Sequence, residues 1–141
     1  MREAIMDIWS GEIDTICITT NGDVRRDGAA VMGRGVALQA KQRLPGIEYK
    51  LGDHIRSHGN HVCCIGSLIF FPVKHHWKNK ANLQLIKRSA EELVALLKIS
   101  TFIDTVALPR PGCGNGGLDW KDVKEIIAPI LPDCVVVVTN I

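Results

Sequence analysis

The stretch GCGNGGLDW, Gly112 to Trp120, decides how this chain is read. Gly112, Gly114, Gly116 and Gly117 put four glycines within six residues. Before the stretch, Thr105 to Leu108 reads as a buried strand. After it, Asp119 to Ile127 reads as an amphipathic helix, with Asp119 as N-cap and Val123, Ile126 and Ile127 facing inward. A strand, a glycine-dense loop and a helix start bring backbone N–H groups together at one point, and such a point attracts anions. Glycine takes positive φ and lets a ligand approach with no Cβ in the way. Most strand-to-helix connections run about two to six residues, and this one is longer and richer in glycine. It points to a bound phosphate or diphosphate. It is neither a Walker A loop, since no GK[ST] follows, nor an N-terminal GxGxxG fingerprint.

Working outward, the rest of the chain alternates strands and helices. Glu3 to Ile8 is a short strand, and Asp14 to Thr20 (DTICITT) is a β-branched buried strand. Asn21 to Gly28 is a polar loop. Gly33-Arg34-Gly35 opens a helix with Val36, Ala37, Ala40 and Leu44 on one face, stopped by Pro45-Gly46. Tyr49 to Asn60 is ambiguous. His61 to Phe71 reads as a strand pair or one strand with a bulge at Gly66. Asn82 to Lys98 has Leu83, Ile86, Ala90, Leu93 and Leu97 at helical spacing. Phe102 to Leu108 and Cys134 to Thr139 are further strands. This pattern belongs to a mostly parallel sheet covered on both faces, whose ligands sit at the carboxyl ends of the strands.

Composition narrows the class. The chain has 141 residues, 46% of them hydrophobic and 23% charged, and suits one globular domain spanning residues 1–141. A net charge of +2 implies no general nucleic-acid surface, while leaving room for a local one. No apolar run approaches a membrane span, and no signal-peptide core is visible at the N-terminus. The five cysteines, Cys17, Cys63, Cys64, Cys113 and Cys134, are odd in number and form no CxxC. A reducing, cytoplasmic compartment is expected.

Other segments add chemistry. In VMGRGVALQAK, Val31 to Lys41, Gly33 and Gly35 flank Arg34 before a helix, at the same sheet edge as the first loop. Two such loops can hold a pyrophosphate from opposite sides, mostly through backbone N–H groups. In FFPVKHHWKNK, Phe70 to Lys80, Lys74 follows a strand end. A lysine amine can attack an aldehyde-like sugar carbon, although composition alone makes Lys74 a solvated loop lysine. His75 and His76 can shuttle protons or simply sit in solvent. His54, His58 and His61, with Asp53 and Cys63, make a dense patch, but the spacing does not match HExxH and no metal site is expected. Asp7, at a strand end, is either a purine-amino acceptor or a surface acid.

Together these residues resemble the macro domain family. Asp7-Ile8 is similar to its GDI strand end, and DTICITTN (Asp14 to Asn21) to its vDaIVNaaN strand. VMGRGVALQAK is similar to its first binding loop, and ALPRPGCGNGGLDW to its phosphate-gripping loop. The similarity spans nearly the whole chain in order. FPVKHHW and GCGNGGLDW match most closely the branch with the terminal ADP-ribose glycohydrolases and the DarG-type antitoxins. Gly116, where the former carry an aspartate, favours the DarG-type, DNA-directed side.

The resemblance implies a three-layer α/β/α fold with a mixed, mostly parallel sheet, and an ADP-ribose site. Asp7 and Ile8 would meet the adenine. Thr20, Asn21, Met32, Gly33, Arg34, Gly35 and Val36 would reach the distal ribose and diphosphate. Pro109, Gly112, Cys113, Gly114, Asn115, Gly116, Gly117 and Leu118 would line the diphosphate loop. Lys74, with Asn21, would release the group attached at C1″ of the distal ribose. No cofactor or metal is implied. The partner would be ADP-ribose or an ADP-ribosylated protein or nucleic acid, DNA included. A binding-only module and an ADP-ribose 1″-phosphate phosphatase stay open beside the hydrolase.

Overall fold

The computed structural model describes residues 1–140; Ile141, the last residue of the expected domain, lies outside them. Six strands form one sheet: β1 (Arg2–Ile5), β2 (Thr15–Thr20), β3 (Cys63–Ile65), β4 (Leu68–Pro72), β5 (Val106–Pro109) and β6 (Val135–Thr139). Their order is β1-β6-β5-β2-β4-β3. Every pairing is parallel except β3 with β4. The helices are α1 (Gly35–Arg43), α2 (Ile47–His58), α3 (Leu83–Ile99) and α4 (Trp120–Ile127).

The sheet divides the core. On one face Ala37 and Ala40 of α1 and Ile47 and Leu51 of α2 pack on Ile16, Ile18, Phe70 and Val136. On the other, Ile86, Ala90 and Leu93 of α3 and Val123 and Ile127 of α4 pack on Cys17, Ile69, Phe71, Val106 and Val137. Alternate residues of each central strand thus serve opposite layers, so β4 is apolar and buried throughout and β6 is apolar and buried from Val135 to Val138. The result is a three-layer α/β/α sandwich. No described helix is long and apolar enough to cross a membrane.

Several boundaries differ from the sequence reading. The first strand ends at Ile5 rather than Ile8, because the Asp7 carboxylate accepts the Trp9 N–H at 2.9 Å and turns the chain. His61 to Phe71 is a hairpin, with Gly66 at φ +62° in its two-residue turn Gly66-Ser67. The ambiguous stretch is α2, capped at its C-terminal end by Gly59 at φ +87°. The strand expected from Phe102 begins at Val106, and the Phe102 side chain is 93% exposed.

The adjacent parallel strands β5, β2 and β4 end on the same side of the sheet. They deliver three loops there: a first of residues 21–34 after β2, a second of residues 110–119 after β5 and a third of residues 73–82 after β4.

Candidate functional site

A cleft of about 710 Å³ opens where those three loops meet. Its wall from β2 and the following loop is Thr19, Thr20, Asn21, Arg25, Val31, Gly33 and Arg34. The α1 start adds Gly35, Val36 and Ala37, and the segment after β4 adds Val73, Lys74 and Trp77. Pro109, Arg110, Gly112, Cys113, Asn115 and Gly116 complete it. Among the described residues the lining holds four basic side chains, Arg25, Arg34, Lys74 and Arg110, and no carboxylate. Such a cleft concentrates anions.

The backbone supplies its donors. Arg34 holds the N-cap position of α1 in extended conformation, and no side chain caps the helix. The first-turn N–H groups of Gly35, Val36 and Ala37 therefore have no protein partner of the capping kind, and all three residues line the cleft. The opposite wall is a tight turn. Gly112, Gly114 and Gly117 all have positive φ, and a single 3₁₀ turn spans Gly114–Gly116. Gly117 N–H donates to the Gly114 carbonyl at 3.0 Å, Leu118 N–H to the Gly112 carbonyl at 3.0 Å, and Ala81 N–H to the Gly116 carbonyl at 2.9 Å. Among the described residues no backbone carbonyl accepts the N–H of Gly114 or Asn115. The two glycine loops approach closely: a Cβ on Gly35 would lie 3.1 Å from Asn115 Nδ2.

The helix that faces the cleft is α1. The sequence predicts a glycine turn that runs into the helix at Asp119, but the Asp119 side chain makes no capping bond and stands outside the lining. The 3₁₀ turn intervenes and points α4 at its own layer.

Lys74 enters from the third loop. Its main chain is pinned at both ends: the N–H donates to the Thr20 carbonyl at 3.4 Å, and the carbonyl accepts from Asn60 Nδ2 at 3.0 Å. Asn60 is held in turn by Arg88 of α3, which donates to its carbonyl. The ammonium reaches across the cleft, donating to the carbonyls of Asn115 at 3.3 Å and Trp77 at 3.4 Å. It thus touches the glycine turn. Asn21 is a scaffold for the first loop, donating through Nδ2 to the Val31 carbonyl at 3.1 Å and accepting the Asp23 N–H at 3.0 Å.

Asp23 ties the first loop to the third. It accepts the Trp77 N–H at 2.8 Å and bonds His76 Nδ1 at 3.1 Å. Partial burial works against its charge, but those two partners outweigh it and hold the carboxyl below its ordinary range. Cys113 also lines the cleft, where burial pushes its thiol above the ordinary range and disfavours the nucleophilic thiolate.

Of the residues singled out from sequence, Thr20, Asn21, Gly33, Arg34, Gly35, Val36, Lys74, Pro109, Gly112, Cys113, Asn115 and Gly116 line the cleft. Met32 is buried beneath the first loop. Gly114, Gly117 and Leu118 build the turn from behind. Asp7 and Ile8 lie past the end of β1, outside the lining. Arg25, Trp77 and Arg110 were not singled out. Arg110 stands in ALPRPGCGNGGLDW, where its only signal is charge beside a glycine turn. The histidine patch resolves into structural pairs: His54 and His58 stack with centroids 4.6 Å apart, and His61 Nδ1 meets Glu92 Oε2 at 2.6 Å.

Comparison with known proteins adds four findings. The model of the macro domain family matches residues 38–127. The DNA ADP-ribosyl glycohydrolase of Mycobacterium tuberculosis is 33% identical over 106 residues, covering 67% of this chain and 30% of that protein. The DNA ADP-ribosyl glycohydrolase of Thermus aquaticus is 31% identical over 115 residues, covering 72% and 31%. The chain therefore spans under a third of the length of these relatives. The solved macrodomain of Mycobacterium tuberculosis DarG superposes with a TM-score of 0.82 at 26% identity, over 99% of this chain and 97% of that one.

Proposed function

Because the chain belongs to the macro domain family, we propose that its cleft binds ADP-ribose and that the chain hydrolyses the bond between ADP-ribose and a modified macromolecule, ADP-ribosylated DNA foremost. The observation that carries the reading is the convergence of the uncapped α1 start and the Gly112–Gly117 turn on one cationic cleft that Lys74 crosses. The choice of DNA is supported by the relatives at 31% and 33% identity, which are DNA ADP-ribosyl glycohydrolases.

In this reading the diphosphate lies between the N–H groups of Gly35 to Ala37 and the glycine turn, with Arg34 and Arg110 at its flanks. The adenine extends toward Asp7 and Ile8, and the distal ribose toward Asn21 and Lys74. Attack requires Lys74 as the neutral amine. Its nitrogen lone pair forms a bond to C1″ as the bond from C1″ to the attached group breaks. The departing group keeps that electron pair and takes up a proton. Water then adds at C1″, the C–N bond breaks, and lysine and ADP-ribose are released. Asn21 contributes by fixing the loop that encloses the ribose. The reaction site is cytoplasmic in this proposal, and no cofactor is needed.

The test is release of ADP-ribose from a modified oligonucleotide and from a modified peptide. Lys74→Ala is expected to lower turnover at least about 100-fold while retaining ADP-ribose binding by calorimetry. Equal turnover by both proteins would end the lysine mechanism. A second reading, ADP-ribose binding without turnover, is favoured by one observation: among the described residues no carboxylate lines the cleft to move protons. Binding with no release from either substrate selects it.

A further inference from the structure

We propose that Asn60 is a positioning residue for Lys74: its side-chain amide fixes the peptide plane that follows the lysine and so aims the amine across the cleft. The inference rests on the reading of Lys74 as the group that attacks C1″, and it names what holds that group in place.

Lys74 lies just past the sheet. Toward it, the ladder between β2 and β4 ends with Thr20 and Pro72, and the ladder between β3 and β4 ends with Cys63 and Phe70. The next three carbonyls, of Pro72, Val73 and Lys74, are met by groups outside the sheet. The Ser89 hydroxyl donates to Pro72 at 2.6 Å, the Asn82 N–H to Val73 at 2.9 Å, and Asn60 Nδ2 to Lys74 at 3.0 Å. Ser89 is fully buried on α3 and Asn82 is the N-cap of the same helix, so the first two bonds tie the strand end to α3. The third acts on the lysine itself. On its other side the Lys74 N–H shares the Thr20 carbonyl with the Val73 N–H, at 3.4 Å against 2.9 Å. By distance the Asn60 bond is the stronger of the two that hold the Lys74 main chain.

Asn60 is itself anchored. It is half-buried in the connection between α2 and β3, and Arg88 of α3 donates to its carbonyl. One turn further along α3, Glu92 accepts the Val62 N–H at 3.0 Å and meets His61 Nδ1 at 2.6 Å. The amide has a close neighbour as well. Residues 21–31 of the first loop form a hairpin bridged between Val24 and Ala30, and the Gly22 N–H near its root donates to the His75 carbonyl at 3.2 Å. A Cβ at Gly22 would lie 2.9 Å from Asn60 Nδ2 and 2.9 Å from the His75 carbonyl oxygen, so the first loop packs its bare main chain on the amide. The Lys74 ammonium stands at the end of a four-carbon stem, which amplifies any turn of the main chain at its root. A displacement of about 1 Å at an attacking atom can cost about 100-fold in rate. Asn60 does not line the cleft, so it acts through Lys74 rather than on the ligand.

The test compares Asn60→Ala and Asn60→Asp with the wild type in the full chain. Aspartate keeps the shape of asparagine but sets an acceptor against the Lys74 carbonyl, and thermal melting checks the folding of each variant. Release of ADP-ribose from a modified oligonucleotide is expected to fall at least about tenfold in kcat with KM unchanged, while ADP-ribose affinity by calorimetry stays within about twofold. In the Lys74→Ala background, Asn60→Ala is expected to change the residual turnover by less than about twofold, because the group it positions is gone. A further readout needs no turnover. With ADP-ribose and cyanoborohydride, the Lys74 amine condenses with the open-chain C1″ aldehyde, water leaves, and hydride from the reagent reduces the imine. Mass spectrometry is expected to find this adduct at Lys74 in the wild type and at least about fivefold less of it in both Asn60 variants. Unchanged kcat and trapping in Asn60→Asp, a loss of affinity that matches the loss of turnover, or a full further loss in the Lys74→Ala background would overturn the positioning role. A wild type that neither releases ADP-ribose nor traps it at Lys74 would instead end the lysine reading itself, and the positioning with it.

Discussion

Gly112 and Gly35 both sit at positive φ, +76° and +57°, yet a side chain at each meets different surroundings. A Cβ on Gly112 would come within 2.7 Å of Ile86 Cδ1 and 2.8 Å of Ala81 Cβ, inside the layer that α3 packs on the sheet. A Cβ on Gly35 would meet only Asn115 Nδ2 across the cleft. Left-handed backbone disfavours either substitution by about 1–2 kcal/mol, and overpacking adds about 1–3 kcal/mol at Gly112 alone. Gly112→Ala is thus expected to lose more stability in urea unfolding, and Gly35→Ala more ADP-ribose affinity in calorimetry. The reverse ranking would mean that the roles of the two loops are misassigned. Glycine spacing made both loops legible in the sequence, because few other residues tolerate these torsions. Arg25 and Trp77 are not legible as site residues, because a polar loop has no period to mark which of its positions face the cleft.

At the scale of elements, α2 was the hardest to read and the most consequential for the first loop. Its buried positions are Ile47, Glu48, Leu51 and Gly52, so its inward stripe contains an acid and a glycine rather than apolar residues throughout. Glu48 is there because its carboxylate accepts the Gly46 N–H at 3.0 Å, and its carbonyl accepts the Ala30 N–H at 2.8 Å. Gly52 is there because the hairpin backbone rests on it. A Cβ at Gly52 would run into the Gly28 carbonyl oxygen and lie 3.0 Å from the Ala30 nitrogen. Helix propensity favours Ala over Gly by about 0.8–1.0 kcal/mol, so propensity alone has Gly52→Ala stabilising. The close approach reverses the sign, because backbone cannot yield as a side-chain tip can. Gly52→Ala is expected to lower stability in thermal or urea unfolding and to weaken ADP-ribose binding by displacing the hairpin that carries Arg25. A more stable protein with unchanged affinity would show that the hairpin does not depend on α2. By contrast α3 is plain in sequence: of Leu83, Ile86, Ala90, Leu93 and Leu97, which recur at helical spacing, Ile86, Ala90 and Leu93 are buried and Leu83 and Leu97 pack partly buried against the same layer.

For the whole molecule, the sheet separates two apolar layers, and the cleft is built at the ends of strands shared by both. Strand alternation made this arrangement legible: continuous apolar runs such as Val135 to Val138 have to be covered on both sides. Ile127 of α4 is fully buried in one layer and Ile47 of α2 is 7% exposed in the other. Neither lines the cleft. Removing one methyl group from a buried isoleucine destabilises by about 0.5–1.5 kcal/mol. Since the sheet stands between the two sites and they share no packing partner, Ile127→Val and Ile47→Val are expected to add within about 0.5 kcal/mol in urea unfolding. ADP-ribose affinity is expected to stay at the wild-type value in both single variants and in the double, because the three cleft loops are anchored by main-chain bonds to Thr20, Val31 and Gly116 rather than by these methyl groups. A shortfall in additivity larger than that, accompanied by lost affinity, would mean that strain passes through the sheet from one layer to the other and reaches the cleft on the way.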